Sequence, residues 1–244
     1  MTPPRVGLGL VTFRRPAYFE RAAASVLEHL LAGLHAFVVV DDGTPPAERY
    51  AEEWTLGRGH LVIQCETNRG VAAAKNAAIR DLLDAGCEWV VLMEDDIEVT
   101  SPEAVAGYVA ACEQSGYGHL MFHGHGPHNP LPRSVGPAVT MWPNCVGAWC
   151  IYSAESLRQC GLMDETFVNA WEHGEHSQRL ALAGFTAPWP DNADATGSER
   201  WLREQPGAIA ASAIRAHPAA GPSPERGRQY WRTAHPDTFR LIWP

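Results

Sequence analysis

Three carboxylates stand in a row at Glu94-Asp95-Asp96, directly after the apolar run from Trp89 to Met93. Carboxylates packed at the end of a strand repel one another unless a cation or solvent comes between them. Mg2+ and Mn2+ prefer oxygen ligands and are commonly bound through one or two carboxylates plus substrate phosphates. A solvated acidic loop is the plainer alternative, and the position after an apolar strand favours the metal. Asp41-Asp42-Gly43 closes a second apolar run. Asp42 there can accept from a ribose hydroxyl or a base N–H, or can simply make an Asp-Gly turn. Asn68-Arg69-Gly70 leads into VAAAKNAAIR. A helix starting there offers free N–H groups to a phosphate, and Lys75 adds a charge unless it is a surface lysine. Trp171-Glu172-His173-Gly174-Glu175-His176 places Glu172, Glu175 and His176 near one face of a helix. The two histidines lack the HExxH spacing of zinc hydrolases. Glu172, His173 or Glu175 could instead take a proton from an acceptor hydroxyl, the bland alternative being an exposed polar helix start.

The elements that must position these groups alternate. Strands are expected at Val6 to Thr12 and 37–40, both read as buried, and at 61–65 and 89–93, with helices at 17–33, 46–54, 71–85 and from Pro102 to about 114. The strands are near-continuous apolar runs, as a parallel sheet covered on both faces requires. Ligands of such sheets bind beyond the carboxyl ends of the strands. Thr12-Phe13-Arg14, Asp41-Asp42 and Glu94-Asp95-Asp96 should therefore converge on one edge. From 118 to 145 a strand plus loop is expected, then a strand at 148–152 and helices at 153–159 and 171–183. Beyond 186 no periodicity is legible. Trp142, Trp149, Trp189, Trp201 and Trp231 either stack on a sugar or fill the core.

The 244 residues suit one α/β domain with an elaborated end. A net charge of −9 counts against DNA as the main partner, because DNA binding draws on a basic face. The six cysteines form no CxxC pair, and no signal peptide is visible at the N-terminus, so they read as buried thiols in the cytoplasm. No apolar run is long enough to span a bilayer, which leaves a peripheral membrane contact open.

Six segments, VTFRRP, VVVDDGT, NRGVAAAKNAAI, VVLMEDDIEV, NCVGAWCIYSAESLRQCGLMDETF and EHGEHSQRLALAGF, run in register from Val6 to Phe185. Together they resemble the family-2-type glycosyltransferases with the GT-A fold. That resemblance implies an α/β domain with a central, mostly parallel sheet flanked by helices. It implies that Thr12, Phe13 and Arg14 line the nucleotide pocket with Asn68 and Lys75, and that Asp42 meets the base. Asp95 would touch the ribose, and Asp96 would bind Mn2+ or Mg2+ bridging the diphosphate. The family's base motif reads Glu-Asp; here His173 replaces the Asp, while Glu172, Glu175 and Arg179 fit. A histidine beyond the core ligates the metal in several such enzymes, which makes His217 and His235 candidates.

The resulting expectation is one domain: 1–115 binding the nucleotide sugar, 116–204 carrying the acceptor and base, and 205–244 as an extension. It would transfer a sugar from a nucleoside-diphosphate sugar to a glycan, lipid, small molecule or protein. Two rivals remain. A nucleotidyltransferase would need a Gly-rich basic loop where this chain has VTFRRP. A non-catalytic nucleotide-sugar binder would explain the altered base motif.

Overall fold

The computed structural model describes residues 3–51, 60–124, 131–144, 147–167, 171–188, 190–208, 210–211, 225, 228–229 and 232–233. Its central sheet has the order β3-β2-β1-β4-β9-β6. Strands β1 (Val6–Thr12), β2 (Ala36–Asp41), β3 (Leu61–Gln64) and β4 (Trp89–Glu94) run parallel. β9 (Trp149–Ser153) is antiparallel to β4 and to β6 (His119–Met121). Register explains the convergence expected above. Thr12 lies opposite Asp41, and Val11 opposite Glu94, so three polar strand ends fall in one row.

The run VGLGLVT forms a strand that two layers can approach closely. A Cβ at Gly9 would sit 2.6 Å from Ala78 Cβ, and one at Gly7 would sit 2.6 Å from Cys87 Sγ. Helix α2 (Val71–Asp84) therefore lies directly on β1, and its alanines are the small side chains that this contact needs. Leu8 and Leu10 point the other way, into a core shared with helix α1 (Pro16–His29) and helix α3 (Ala104–Ser115). Helices α4 (Ala154–Cys160) and α5 (Glu172–Leu182) cover the α2 side.

Several expectations change. β3 is the edge of the sheet, and Leu61 is exposed, although a sheet covered on both faces is expected. Of the helix expected at 46–54, Pro46–Glu48 is a 3-10 turn and Ala51 is helical, with 52–59 outside the described residues. The aperiodic region past 186 contains two strands. β10 (Asn192–Ala195) pairs with β8 (Val139–Trp142), which also pairs with β7 (Ser134–Val135). β11 (Leu202–Glu204) pairs with β5 (Ile97–Val99). Trp149 fills the core, Trp142 stacks on His123 at 3.8 Å, and Trp189 and Trp231 lie outside the described residues. Cys65, Cys87, Cys112, Cys150 and Cys160 are free thiols.

Two imidazoles are sealed behind the sheet. His119 stacks on Tyr152 with centroids 4.3 Å apart. Its Nδ1–H donates to the Ile151 carbonyl (3.0 Å), which leaves Nε2 to accept from Ser177 Oγ (3.1 Å). His176 Nε2–H donates to the Gly161 carbonyl (2.9 Å). Burial pushes His119 down to about 3 and His176 down to about 4. Both stay neutral in the fold, whereas the unfolded chain takes up protons below about 6.5. Their stabilising effect is thus full above pH 6.5 and is lost as pH falls toward 4 and 3. Each costs about 1.4 kcal/mol per pH unit. Urea midpoints should fall steeply between pH 6 and 5 in the wild type and less steeply in His119→Gln. Equal slopes in the two proteins would contradict this account.

Candidate active site

The site is built on the strand ends. After Thr12 the chain turns sharply, because Arg14 adopts a left-handed φ of 53°. Its N–H donates to Thr44 Oγ1 (3.1 Å), and its guanidinium reaches Glu48 (2.8 Å). A left-handed non-glycine residue is uncommon and costs energy. Here it swings the next residue, Arg15, over the acids. The guanidinium of Arg15 pairs with both Asp95 and Asp96. Arg14, expected in the nucleotide pocket, points instead to Glu48, and Arg15 lines the cleft.

Asp95 is held from several sides. Thr12 Oγ1 donates to its Oδ2 (2.6 Å). That uses the only hydroxyl proton of Thr12, so Tyr50 OH donates to Thr12 Oγ1 (2.8 Å) and accepts from Arg15 N–H (3.1 Å). Burial pushes the Asp95 carboxyl up to about 7, with the charge of Asp96 in the same direction, while Arg15 and Thr12 pull against them. Gln205, fully buried, ties the turn from outside. Its N–H donates to the Asp96 carbonyl (2.7 Å) and its Nε2 to the Asp95 carbonyl (2.9 Å). Arg15 also donates to the Ala208 carbonyl (3.2 Å).

Glu94 has a separate partner. Lys75 is completely buried; its Nζ donates to Glu94 Oε1 (2.6 Å) and to the Gly147 carbonyl (2.8 Å). Burial works against its charge, but the Glu94 carboxylate outweighs it and holds the ammonium pKa above its usual value. So Lys75 faces the acidic turn from within rather than offering a charge at the helix surface.

Asp42 organises the loop before α2. It accepts from Arg69 N–H (3.0 Å) and Gly70 N–H (2.8 Å) and from Asn68 Nδ2 (2.9 Å). Asn68 is thereby part of the loop that Asp42 holds. Burial nevertheless pushes Asp42 up to about 7. Gly43 has a φ of +86°, and a Cβ there would lie 2.2 Å from the Thr67 carbonyl carbon. Only glycine lets the Asp41-Asp42-Gly43 turn meet residues 67–70 so closely.

On α5, Glu172 Oε1 accepts from His173 Nδ1 at 3.1 Å. Burial pushes Glu172 up, but His173 and the charge of Lys75 more than offset this and its pKa is lowered. His173 packs against Gly147, whose carbonyl binds Lys75. This chain of contacts puts the Glu172–His173 pair on the Glu94 side of the acidic turn. Glu175 lies elsewhere, clasped by Arg179 at 2.6 and 2.8 Å. Arg179 also donates to the Leu162 carbonyl (2.7 Å), so that ion pair braces the loop before α5.

Between these groups lies a cleft with about 460 Å3 of empty space. Thr12, Phe13, Arg15, Asp42, Val71, Ala74, Glu94, Asp95 and Asp96 line it. Two adjacent carboxylates lining a cleft suit Mg2+ or Mn2+, which take their remaining ligands from phosphate and water. Among the described residues no group of three His, Cys, Asp or Glu side chains is gathered for a metal, and His217 and His235 lie outside those residues. Arg15, Tyr50 and Gln205 were missed in the sequence. Arg15 is one residue from the candidate chosen there, Tyr50 carried no pattern, and Gln205 sits where periodicity fails.

A mostly parallel sheet with an acidic turn and an aspartate-held loop at its carboxyl edge is the architecture of the GT-A fold. Residues 8–125, just under half of the chain, match the model of glycosyl transferase family 2. Solved structures agree in fold. A mannosyltransferase from Pyrobaculum calidifontis in complex with GDP-Man and Mn2+ is 19% identical, with a TM-score of 0.58, over 78% of this chain and 56% of that one. S. aureus TarS 1-349 in complex with UDP-GlcNAc is 16% identical, with a TM-score of 0.57, over 98% and 76%. GalNAc-T7 with UDP, GalNAc and Mn2+ is 14% identical, with a TM-score of 0.61, over 82% and 44%. The chain spans just over half the length of the mannosyltransferase and under half that of GalNAc-T7. At these identities the likeness is one of fold. No curated protein matches the chain. No helix among the described residues is long and apolar enough to cross a membrane.

Proposed function

We propose that this protein transfers a sugar from a nucleoside-diphosphate sugar to an acceptor hydroxyl, with Mn2+ or Mg2+ at Asp96. The observation that carries the reading is the cleft itself, where Asp42, Asp95 and Asp96 meet beyond the carboxyl ends of three parallel strands. Asp42 and the Asn68 loop would face the nucleoside, and Asp95 the ribose. Asp96 would hold the ion, with His217 as a further ligand. When bound, the ion neutralises charge on the departing diphosphate. Glu172 orients the His173 ring through Nδ1, and Nε2 would take the proton of the acceptor hydroxyl. The carboxylate also stabilises the imidazolium that forms.

The structures similar in fold bind GDP-Man, UDP-GlcNAc, or UDP with GalNAc, so donors of these classes head the panel. Nucleotide sugars should be tested for binding and for hydrolysis with Mn2+ and with a chelator, on wild type and Asp96→Ala. One donor should bind at least about tenfold more weakly without the metal and in the variant, a loss of about 1.4 kcal/mol. Binding indifferent to both would refute the metal reading. Metal-dependent binding without turnover would favour the non-catalytic binder, which the pairing of Arg15 with both aspartates also fits.

A further inference from the structure

We infer that Arg15 is the resident counter-ion of the Asp95–Asp96 pair, and that it makes metal entry depend on the nucleoside diphosphate by moving from the acids to the phosphates. The inference rests on reading Asp95 and Asp96 as the metal site. Its grounds are geometric. One guanidinium pairs with both aspartates, and its side chain is only 12% exposed, against 2% for Asp95 and 9% for Asp96. Glu94 does not compete for Arg15, because Lys75, buried on helix α2, already binds it. The acidic turn thus divides into two charge groups, Glu94 with Lys75, and two aspartates with Arg15.

Electrostatics then sets an order. With both carboxyls ionised, two aspartates and one guanidinium leave a single net negative charge in a shielded place. A divalent ion entering alone reverses that sign and meets the guanidinium on the same oxygens. Such repulsion is strong where water is largely excluded. A diphosphate entering with the ion restores the net negative charge and offers Arg15 new acceptors. Guanidinium groups bind phosphate oxygens well through their forked N–H donors. Arg15 lines the same cleft as Asp42, Val71 and Ala74, so it need not cross the protein to reach a ligand there. Its backbone is fixed by Tyr50, which leaves the side chain as the part that moves. Metal and nucleotide should accordingly bind with positive coupling, and each should raise the affinity of the other by the same factor.

Mn2+ binding to the whole chain, followed by the loss of the free-ion signal in electron paramagnetic resonance, tests this without any turnover. Titrations use MnCl2 alone and with UDP, GDP, dTDP, CDP or ADP as the diphosphate probe. In the wild type, Mn2+ alone should bind weakly, and one diphosphate should tighten it at least about tenfold. Arg15→Gln should bind Mn2+ alone at least about tenfold more tightly than wild type and lose most of the coupling. Arg15→Lys keeps the charge and should stay close to wild type. If Arg15→Gln binds Mn2+ alone no better than wild type, or Arg15→Lys behaves like Arg15→Gln, the counter-ion role is wrong while the metal site stands. If no diphosphate brings Mn2+ to the wild type, or Asp96→Asn binds it equally well, the metal site itself is wrong and the inference goes with it.

Discussion

His173→Ala should lower kcat by about two to four powers of ten, the span of a positioned general base, with little change in donor KM. Two carboxyl groups and an imidazole share the first turn of α5, and the structure separates them. Both oxygens of Glu175 are taken up by Arg179. The Glu172 side chain is 6% exposed, against 20% for His173, and Glu172 already accepts from His173 Nδ1. A base must reach an incoming hydroxyl, and His173 is the more exposed of the pair, so in the proposed mechanism its Nε2 would be the base. Glu172 then acts through the ring, fixing its tautomer. Glu172→Gln should accordingly cost less, roughly tenfold to a hundredfold, because the amide oxygen can still accept from Nδ1. Steady-state kinetics with the donor found by the panel decide the matter. A larger loss for Glu172→Gln than for His173→Ala would make Glu172 the base. Burst experiments would show whether chemistry or release is being read.

The acids and the Asp42 loop could be placed at one edge from the sequence because each follows a long apolar run; the 171–176 turn follows none and is singled out by its charged spacing and the family resemblance. Such runs are buried on both faces, and their ends must lie at one edge of a parallel sheet. What escaped is what long-range pairing creates. β11 has three residues and exists because it pairs with β5, about a hundred residues earlier. No local period marks it, yet it delivers Gln205 to the acidic turn. The exchange of Arg14 for Arg15 turns on a single left-handed residue, which neither composition nor spacing encodes. Lys75 misled in another way. Its place on an alanine-rich helix read as a charge offered to phosphate or, alternatively, to solvent. Those alanines are small because α2 lies against the glycines of β1, and the same closeness carries Lys75 inside.

That burial sets the second large effect. Lys75→Met should destabilise the fold by about 3 kcal/mol, near the lower end for breaking a buried ion pair. In a domain of this size that is roughly 6–12 °C in Tm. The variant removes the cation from Glu94, beside two further acids, and takes the ammonium donor from the Gly147 carbonyl, which keeps the weaker Cys150 Sγ–H (3.3 Å). Methionine fills much of the vacated volume, so the loss comes from charge rather than from a cavity. Removing the other partner as well should recover most of it, because replacing both members of a buried pair by apolar groups is often close to neutral. Lys75→Met with Glu94→Leu is the matching double variant, and urea denaturation of the four proteins gives the coupling. A single variant within about 1 kcal/mol of wild type would mean that water or a shifted side chain meets the needs of Glu94. The activity of the double variant carries separate information. Its acids would be less crowded and its fold restored, but Gly147 would still lack the ammonium that anchors it against His173. If stability returns while turnover stays low, Lys75 serves the site by fixing the 147 loop and the base beside it. If both return, its task is to neutralise Glu94.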